Sequence, residues 1–255
     1  MDELRIDLNC DLGESSGDGV PGDLVLMDHI TSANIACGFH AGSPSVMRQT
    51  VRNALSKGLC LGAHPGFFDR EGFGRRRLAL TGDEVFEIVL YQLGALGAIV
   101  SAEGGKLSHL KPHGALYNMA AVDLTLAQSI SEAVYAFDPE LILYGLAGSQ
   151  LIQAARKLGL KTAQEAFADR NYLADGNLVP RTDPQALVTS PREAATRVVR
   201  MIKENKVKSQ SGDDIDLYAD TICVHGDTPD AVNFLRELSV VLKDEKILIK
   251  GVGAK

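Results

Sequence analysis

The stretch 5-RIDLNCDLGE-14 alternates: Ile6, Leu8 and Cys10 fall on one face of an extended chain, and Asp7, Asn9 and Asp11 fall on the other. Three polar residues on one strand face are costly to bury unless that face lines a wet site or a partnered network. A strand with an apolar back and a polar front suits a parallel barrel whose interior leads to an active site. The pattern of the remaining chain fits that expectation.

Short apolar runs bounded by Gly or charge recur at 4–8, 30–36, 59–63, 107–110, 141–145, 161–165 and 221–224, which gives seven strands. Amphipathic helical patterns lie between most of them. Ser43-Pro44, Ser190-Pro191 and Thr228-Pro229 each set a capping hydroxyl before a proline suited to a first helical turn. Thr81 with Glu84, and Ser190 with Glu193, have capping-box spacing. The helix from Pro44 should end at Gly58 and bury Met47, Val51, Ala54 and Leu55. Strand alternating with helix predicts a parallel sheet with helices outside. The expected fold is one α/β domain over 1–255, a closed or nearly closed (β/α) barrel. The connection 167–185 lacks a helical pattern and should carry a small hairpin about Asp175-Gly176, overhanging one end of the domain.

Polar residues then gather at the downstream strand ends, where the loops of parallel barrels converge on one mouth. Asp11 ends the polar face of the first strand, Asn34 and His40 follow the second, and His64 the third. Lys111 and His113 follow the fourth, Glu165, Asp169 and Arg170 the sixth, and His225 and Asp227 the seventh. Four of the six histidines occupy such positions, which marks the set as functional. His29 and His109 fall outside the pattern and read as surface or packing residues. The arginines of 72-GFGRRR-77 could grip a carboxylate or phosphate, or simply be solvated.

Composition narrows the chemistry. A formal charge of -7 argues against nucleic acid as a general partner. Cys10, Cys37, Cys60 and Cys223 form no close pair and read as buried free thiols of a reducing cytoplasm. The charged N-terminus does not suit a signal peptide, and no run approaches a membrane span. Neither GxxxxGK[ST] nor a helix-opening GxGxxG is present, so the chain alone should not be an ordinary nucleotide-binding ATPase. The clustered groups could relay protons at neutral pH, with Lys111, Asn9 and Asn34 orienting a carbonyl. Asp11, His40 and His64 could instead hold a metal with an open position for water. Hydrolysis or proton transfer at a polar carbonyl is the shared outcome.

The segments DLNCDLGES, SANIACGFHAG, GAHPGF, GFGRR, LKPHGALYN, EAFADRNY with DGNLVPR, and VHGDTP, in chain order from Asp7 to Pro229, resemble the LamB/YcsF family. The resemblance implies a distorted seven-stranded (β/α) barrel of the glycoside hydrolase/deacetylase type. It also implies ATP-dependent opening of the lactam 5-oxoproline to glutamate, together with 5-oxoprolinase subunits B and C. Dependence on partners would account for the missing phosphate loop. Carried over position by position, the family's polar residues fall on Asn9, Asp11, Glu14, Asn34, His40, His64, Lys111, His113, Glu165, Arg170 and His225. Of these, Asp11, His40, His64 and His113 are the expected catalytic set. Asn9, Asn34, Lys111, Glu165, Arg170 and His225 are expected to bind substrate. Two positions depart from the family pattern: 42-GSP-44 where it usually reads GDP, and Phe68 where it has proline. A missing carboxylate at 43 would weaken a metal site that used it.

Two other readings stay open: a free-standing metal-dependent deacetylase or hydrolase, and a non-catalytic barrel that holds a metabolite for its partners.

Overall fold

Seven parallel strands close on themselves in the computed structural model, which describes residues 3–14, 21–225 and 231–253. In chain order β1 (Arg5–Leu12), β2 (Ser32–Ala36), β3 (Cys60–His64), β4 (Leu107–Leu110), β5 (Ile142–Leu146) and β6 (Lys161–Phe167) lie side by side. An antiparallel pair, β7 (Lys206–Lys208) and β8 (Asp214–Asp216), stands apart from the barrel. β9 (Thr221–Cys223) pairs with both β6 and β1 and closes the ring, while β10 (Leu248–Ile249) extends the start of β1. The seven expected strands are all present. Three more, β7, β8 and β10, were not expected, because at three residues or less they carry no usable period.

Eight helices accompany the strands among the described residues: α1 (Pro21–Leu26), α2 (Pro44–Ser56), α3 (Gly82–Ala102), α4 (Gly114–Ala120), α5 (Leu124–Phe137), α6 (Gln150–Leu158), α7 (Pro191–Glu204) and α8 (Ala231–Asp244). The start signals work as the spacing predicts. Ser43 Oγ accepts from Val46 N, Ser190 Oγ accepts from Glu193 N, and Thr81 and Glu84 form a reciprocal capping box. Each satisfies backbone donors that a helix N-terminus otherwise leaves unpaired. The cap expected at Thr228-Pro229, and Asp227 with it, lie outside the described residues.

α3 corrects one expectation. At 21 residues it is long and apolar enough to cross a membrane by length and composition. In the fold it packs against α5 and β3 and buries Val85, Val89, Leu93, Leu96 and Val100. Its buried Gln92 accepts from Gly66 N at 3.0 Å and donates to Gly66 O at 2.9 Å, which pins the loop after β3. Cys60 is half-buried rather than buried, and all four cysteines are free thiols.

The connection after β6 does form a hairpin, but about a three-residue turn rather than the two-residue turn that Asp175-Gly176 favours. Leu173 N donates to Asn177 O and Gly176 N to Leu173 O, so three residues form the turn, with Gly176 at φ +85. A three-residue hairpin loop that ends on a left-handed glycine is a common connection. Tyr172 anchors it from below, fully buried, its Oη accepting from Phe167 N at 2.8 Å.

Inside the barrel, the polar face of β1 builds the layers that support the mouth. Lowest is Asp7, whose carboxylate accepts from Thr31, Ser32, Thr221 and Tyr144 hydroxyls. Burial still raises its pKa against those four hydrogen bonds. Next, Asn9 Nδ2 donates to Glu165 Oε1 at 3.0 Å and Thr221 Oγ1 at 2.8 Å, and Asn34 Nδ2 donates to Asn9 Oδ1 at 2.8 Å. Asp11 forms the top layer with Lys111 and His64. A buried polar face is tolerable because nearly every group on it has a partner.

His109, expected only as a surface or packing residue, belongs to these layers too. Fully buried, it donates from Nε2 to Asn34 Oδ1 at 2.8 Å and stacks on Tyr144 with ring centroids 4.3 Å apart. The sequence hides this role because His109 lies on the polar face of β4, upstream of the strand end.

Candidate functional site

The loops after β1, β2, β3 and β4 bring one carboxylate and three imidazoles together. Gly13, at φ +70, turns the chain after β1 so that Glu14 swings over the mouth beside Asp11. Glu14 Oε1 lies 3.1 Å from His40 Nε2, 3.1 Å from His113 Nδ1 and 3.7 Å from His64 Nε2. The His40 and His113 rings stack at 3.7 Å with an interplanar angle of 1°. Gly66 and Gly74 make room for them: a Cβ on Gly66 would meet His40 Nδ1 at 2.6 Å, and one on Gly74 would meet His113 Cδ2 at 2.9 Å.

Outer hydrogen bonds fix the tautomers. His64 Nδ1 donates to the Lys111 carbonyl at 2.7 Å, and His113 Nε2 donates to the Phe73 carbonyl at 2.8 Å. That leaves His64 Nε2 and His113 Nδ1 facing each other at 2.9 Å, each with a lone pair when its imidazole is neutral. Two lone pairs at that distance repel unless a proton or a cation lies between them. Neutral imidazoles oriented by backbone carbonyls, beside a carboxylate, are the usual donors for a transition metal. Glu14, His40, His64 and His113 each offer an atom within 4.8 Å of the others. These residues fit a divalent cation.

Electrostatics treat the rings differently: burial opposes a charge on His64, but Asp11 leads the neighbours that raise its pKa above the ordinary value. Burial lowers the His40 pKa to about 4, helped by the neighbouring His113 and His64. Burial alone would raise Glu14, but the His113 and His40 rings beside it outweigh burial and bring its pKa far down. Burial likewise opposes the charge on Asp11, and His64 and Lys111 overcome it. For the alternative metal set of Asp11, His40 and His64, the geometry offers another grouping. Asp11 Oδ2 is 3.3 Å from His64 Nε2, but the group that converges with His40 and His64 contains Glu14 and His113 instead.

A second cluster, Asp11, Cys223 and His225, already holds a cation. Lys111 Nζ lies 3.0 Å from Asp11 Oδ1, 3.1 Å from Cys223 Sγ, 2.9 Å from Glu165 Oε1 and 3.2 Å from Asn9 Oδ1. Burial would discharge this lysine, but Asp11 leads the neighbours that hold its pKa well above the ordinary value. His225 faces the same space from the end of β9. Its Nδ1 is 2.9 Å from Asp169 Oδ2, and its ring stacks on Phe167 at 5.3 Å. A fully buried carboxylate on Nδ1 orients the ring and leaves Nε2 to exchange a proton.

A cavity of about 500 Å³ opens over these groups. Asp11, Glu14, His64, Lys111, His113 and His225 line its floor, and the hairpin with residues 178–182 forms one wall. Arg170, Arg75 and Arg77 line it as well. Arg76 turns away to bond Asp69 at 2.8 Å. Asn9, Asn34 and Glu165 sit beneath the cavity and position the floor. Asp169 was legible as a strand-end residue but not as a partner of His225, since 56 residues separate them. Tyr117, buried and lining the cavity, had no signal beyond its place in LKPHGALYN.

Comparison with known proteins matches the LamB/YcsF family over residues 6–255. The chain is 54% identical to the A subunit of 5-oxoprolinase from Geobacillus kaustophilus over 245 residues, 96% of each chain. It is 52% identical to that of Bacillus subtilis over 251 residues, 98% of each. Among solved structures, the lactam utilization protein of Thermus thermophilus superposes with a TM-score of 0.91 at 45% identity, covering 97% of this chain and 99% of that one.

Proposed function

The chain belongs to the LamB/YcsF family, and from that premise we propose that it is the A subunit of an ATP-dependent 5-oxoprolinase, opening the lactam of 5-oxoproline to glutamate with subunits B and C. The observation that carries the reading is the convergence of two devices on one cavity: the Glu14, His40, His64 and His113 cluster, and the Asp169–His225 pair. A cyclic amide needs a water activated on its carbonyl carbon and a proton for its departing nitrogen. The first device suits the water, the second the nitrogen.

A divalent cation held by Glu14, His40, His64 and His113 would polarise a water or the carbonyl oxygen when bound. Asp11, hydrogen-bonded within the mouth and kept ionised by His64 and Lys111, accepts the proton of the attacking water. The buried ammonium of Lys111 sets a positive field under the developing oxyanion. His225, oriented by Asp169, delivers its proton to the ring nitrogen as the C–N bond breaks. Asn9, Asn34 and Glu165 act from below by holding Lys111 and Asp11, and Arg170 takes the anionic part of the substrate. ATP is handled together with the partners, and the free thiols support a cytoplasmic setting.

Reconstitution tests the reading. The purified chain alone should form little glutamate from 5-oxoproline, and adding subunits B and C with ATP and magnesium should yield it; a complete mixture that forms none refutes the proposal. A self-sufficient metal hydrolase is a second reading, favoured because all four candidate ligands come from one chain. Elemental analysis should find about one divalent metal per chain, and hydrolysis of a simple amide without partners, abolished by chelator, would favour that second reading.

A further inference from the structure

Glu14, His40, His64 and His113 converge, but their ring planes do not let all four bond one ion. The His40 and His113 rings stack with centroids 3.7 Å apart and planes 1° from parallel. Five-membered rings cannot lie edge to edge at that spacing, so nearly all of it separates the two planes. An imidazole nitrogen binds a metal along its in-plane lone pair, at about 2.0–2.1 Å for zinc. An ion in the plane of His113 therefore stands too far from the plane of His40 to bond it, and the reverse holds. The stack is held from outside. Phe73 stands at 90° to both rings, and a Cβ on Gly74 would meet His40 Cβ at 2.8 Å and His113 Cδ2 at 2.9 Å, so the rings fill the room that this glycine leaves. His64, by contrast, is turned 87° from His113, so their planes cross and one ion can lie in both.

The second nitrogen of each ring decides which member of the stack is the ligand. A histidine on a metal nearly always donates its other ring N–H to a carbonyl, a carboxylate or water. His64 Nδ1 meets the Lys111 carbonyl at 2.7 Å, and His113 Nε2 meets the Phe73 carbonyl at 2.8 Å. His40 Nδ1 is buried with no hydrogen-bond partner. Were His40 Nε2 bare for an ion, the ring proton would sit on Nδ1 as a buried donor without an acceptor, which folded proteins seldom leave. With the proton on Nε2 instead, His40 donates to Glu14 Oε1 at 3.1 Å. The other three atoms have no donor among them when the rings are neutral. Glu14 Oε1, His113 Nδ1 and His64 Nε2 lie 2.9, 3.1 and 3.7 Å from one another, a triangle of lone pairs that calls for a positive charge.

We propose that the ion is bound by three atoms, Glu14 Oε1, His64 Nε2 and His113 Nδ1, and that His40 is a positioning residue that holds the Glu14 carboxylate against the ion through its Nε2–H. His40 thus holds the cation at one remove. The inference deepens the lactam-opening reading, in which this ion serves the attacking water. Three protein ligands leave a coordination position open, as catalytic zinc sites do, whereas four would close it in the manner of a structural site. Two imidazoles and a carboxylate suit a first-row transition ion such as zinc, while magnesium prefers oxygen ligands and keeps its waters. The chain's own ion is accordingly different in kind from the magnesium supplied with ATP.

X-ray absorption by the zinc-loaded full chain, without partners, counts the imidazoles. Two per zinc are expected in wild type and again in His40→Gln, whose amide can still donate to Glu14. Calorimetric titration with Zn²⁺ separates the roles by affinity. One zinc should bind, and His113→Ala should weaken it by more than the roughly 10- to 100-fold that loss of an outer partner costs. His40→Gln should weaken it by less than about tenfold, and Mg²⁺ at equal concentration should not compete. Three imidazoles per zinc in wild type, equal losses in the two variants, or competition by Mg²⁺ overturns the proposal. Absence of zinc binding in wild type overturns it as well, since a proton on His64 would then be all that joins the three groups. Neither lactam nor partner is present, so failure here is distinct from failure of the complete mixture to form glutamate.

Discussion

Gly62 in β3 makes room for His109. A Cβ built on Gly62 would lie 2.0 Å from His109 Nε2 and 2.2 Å from its Cδ2, so Gly62→Ala must drive the ring more than an ångström. The ring cannot slide freely, because Tyr144 stacks on one face and Nε2 is bonded to Asn34. Overpacking costs about 1–3 kcal/mol. Breaking the hydrogen bond leaves Asn34 Oδ1 buried and unsatisfied for about 1–3 more, and the entropy gained by alanine returns less than about 1. The net is about 3–4 kcal/mol, or roughly a 10 °C fall in Tm for a chain of this size. Urea and thermal unfolding of Gly62→Ala, His109→Ala and the double variant measure it. With the imidazole gone, Gly62→Ala should cost almost nothing. A single-variant cost below about 1 kcal/mol, or the same penalty in both backgrounds, refutes the reasoning.

Other consequences follow from the same contacts. Burial raises Asp23 to about 6 although it accepts from Gly13 N at 2.8 Å. A raised carboxylate favours folding below its ordinary value near 3.8 and loses that contribution as pH climbs through 6. Asp23→Asn should therefore be more stable than wild type at pH 7, by about 1–2 kcal/mol after solvent screening, and the gap should close below about pH 4; a gap independent of pH contradicts this. Lys111→Met strands Asp11 and Glu165 without their shared counter-charge and should cost about 3–5 kcal/mol by urea denaturation; a near-neutral result would mean the network repacks. Asp169→Asn should lower kcat of the reconstituted enzyme about 10²- to 10⁴-fold with KM within a few-fold, and undiminished turnover would remove His225 from the proton path. His64→Ala should abolish the stoichiometric metal, read by elemental analysis, with the far-ultraviolet dichroism unchanged; full metal content in that variant would place the ligands elsewhere.

The barrel and the floor of its mouth were largely legible in one dimension. Strand alternation is a local property: the period of two in 5-RIDLNCDLGE-14 already separates Asp7, Asn9 and Asp11 from the core face. Caps are equally local, needing only a hydroxyl three residues before a backbone donor. Strand-end placement of Asp11, His40, His64, Lys111, His113 and His225 followed from counting strands. Pairings across the barrel were not legible. Glu14 joined the three histidines through a positive φ at Gly13, and Asp169 met His225 across 56 residues.

What the sequence determined by itself was therefore the architecture and the pool of groups at one end of it, because periodicity and capping act over a few residues. Only the tertiary structure decided how that pool divides. Closing β9 against β1 places Lys111 within reach of Asp11, Glu165 and Cys223 at once, so the lysine fills one cluster. The backbone carbonyls of Phe73 and Lys111 turn two imidazoles lone pair to lone pair and ready the other cluster for a cation. Distance and orientation between groups far apart in the chain are set by strand register and loop course, which no local pattern records.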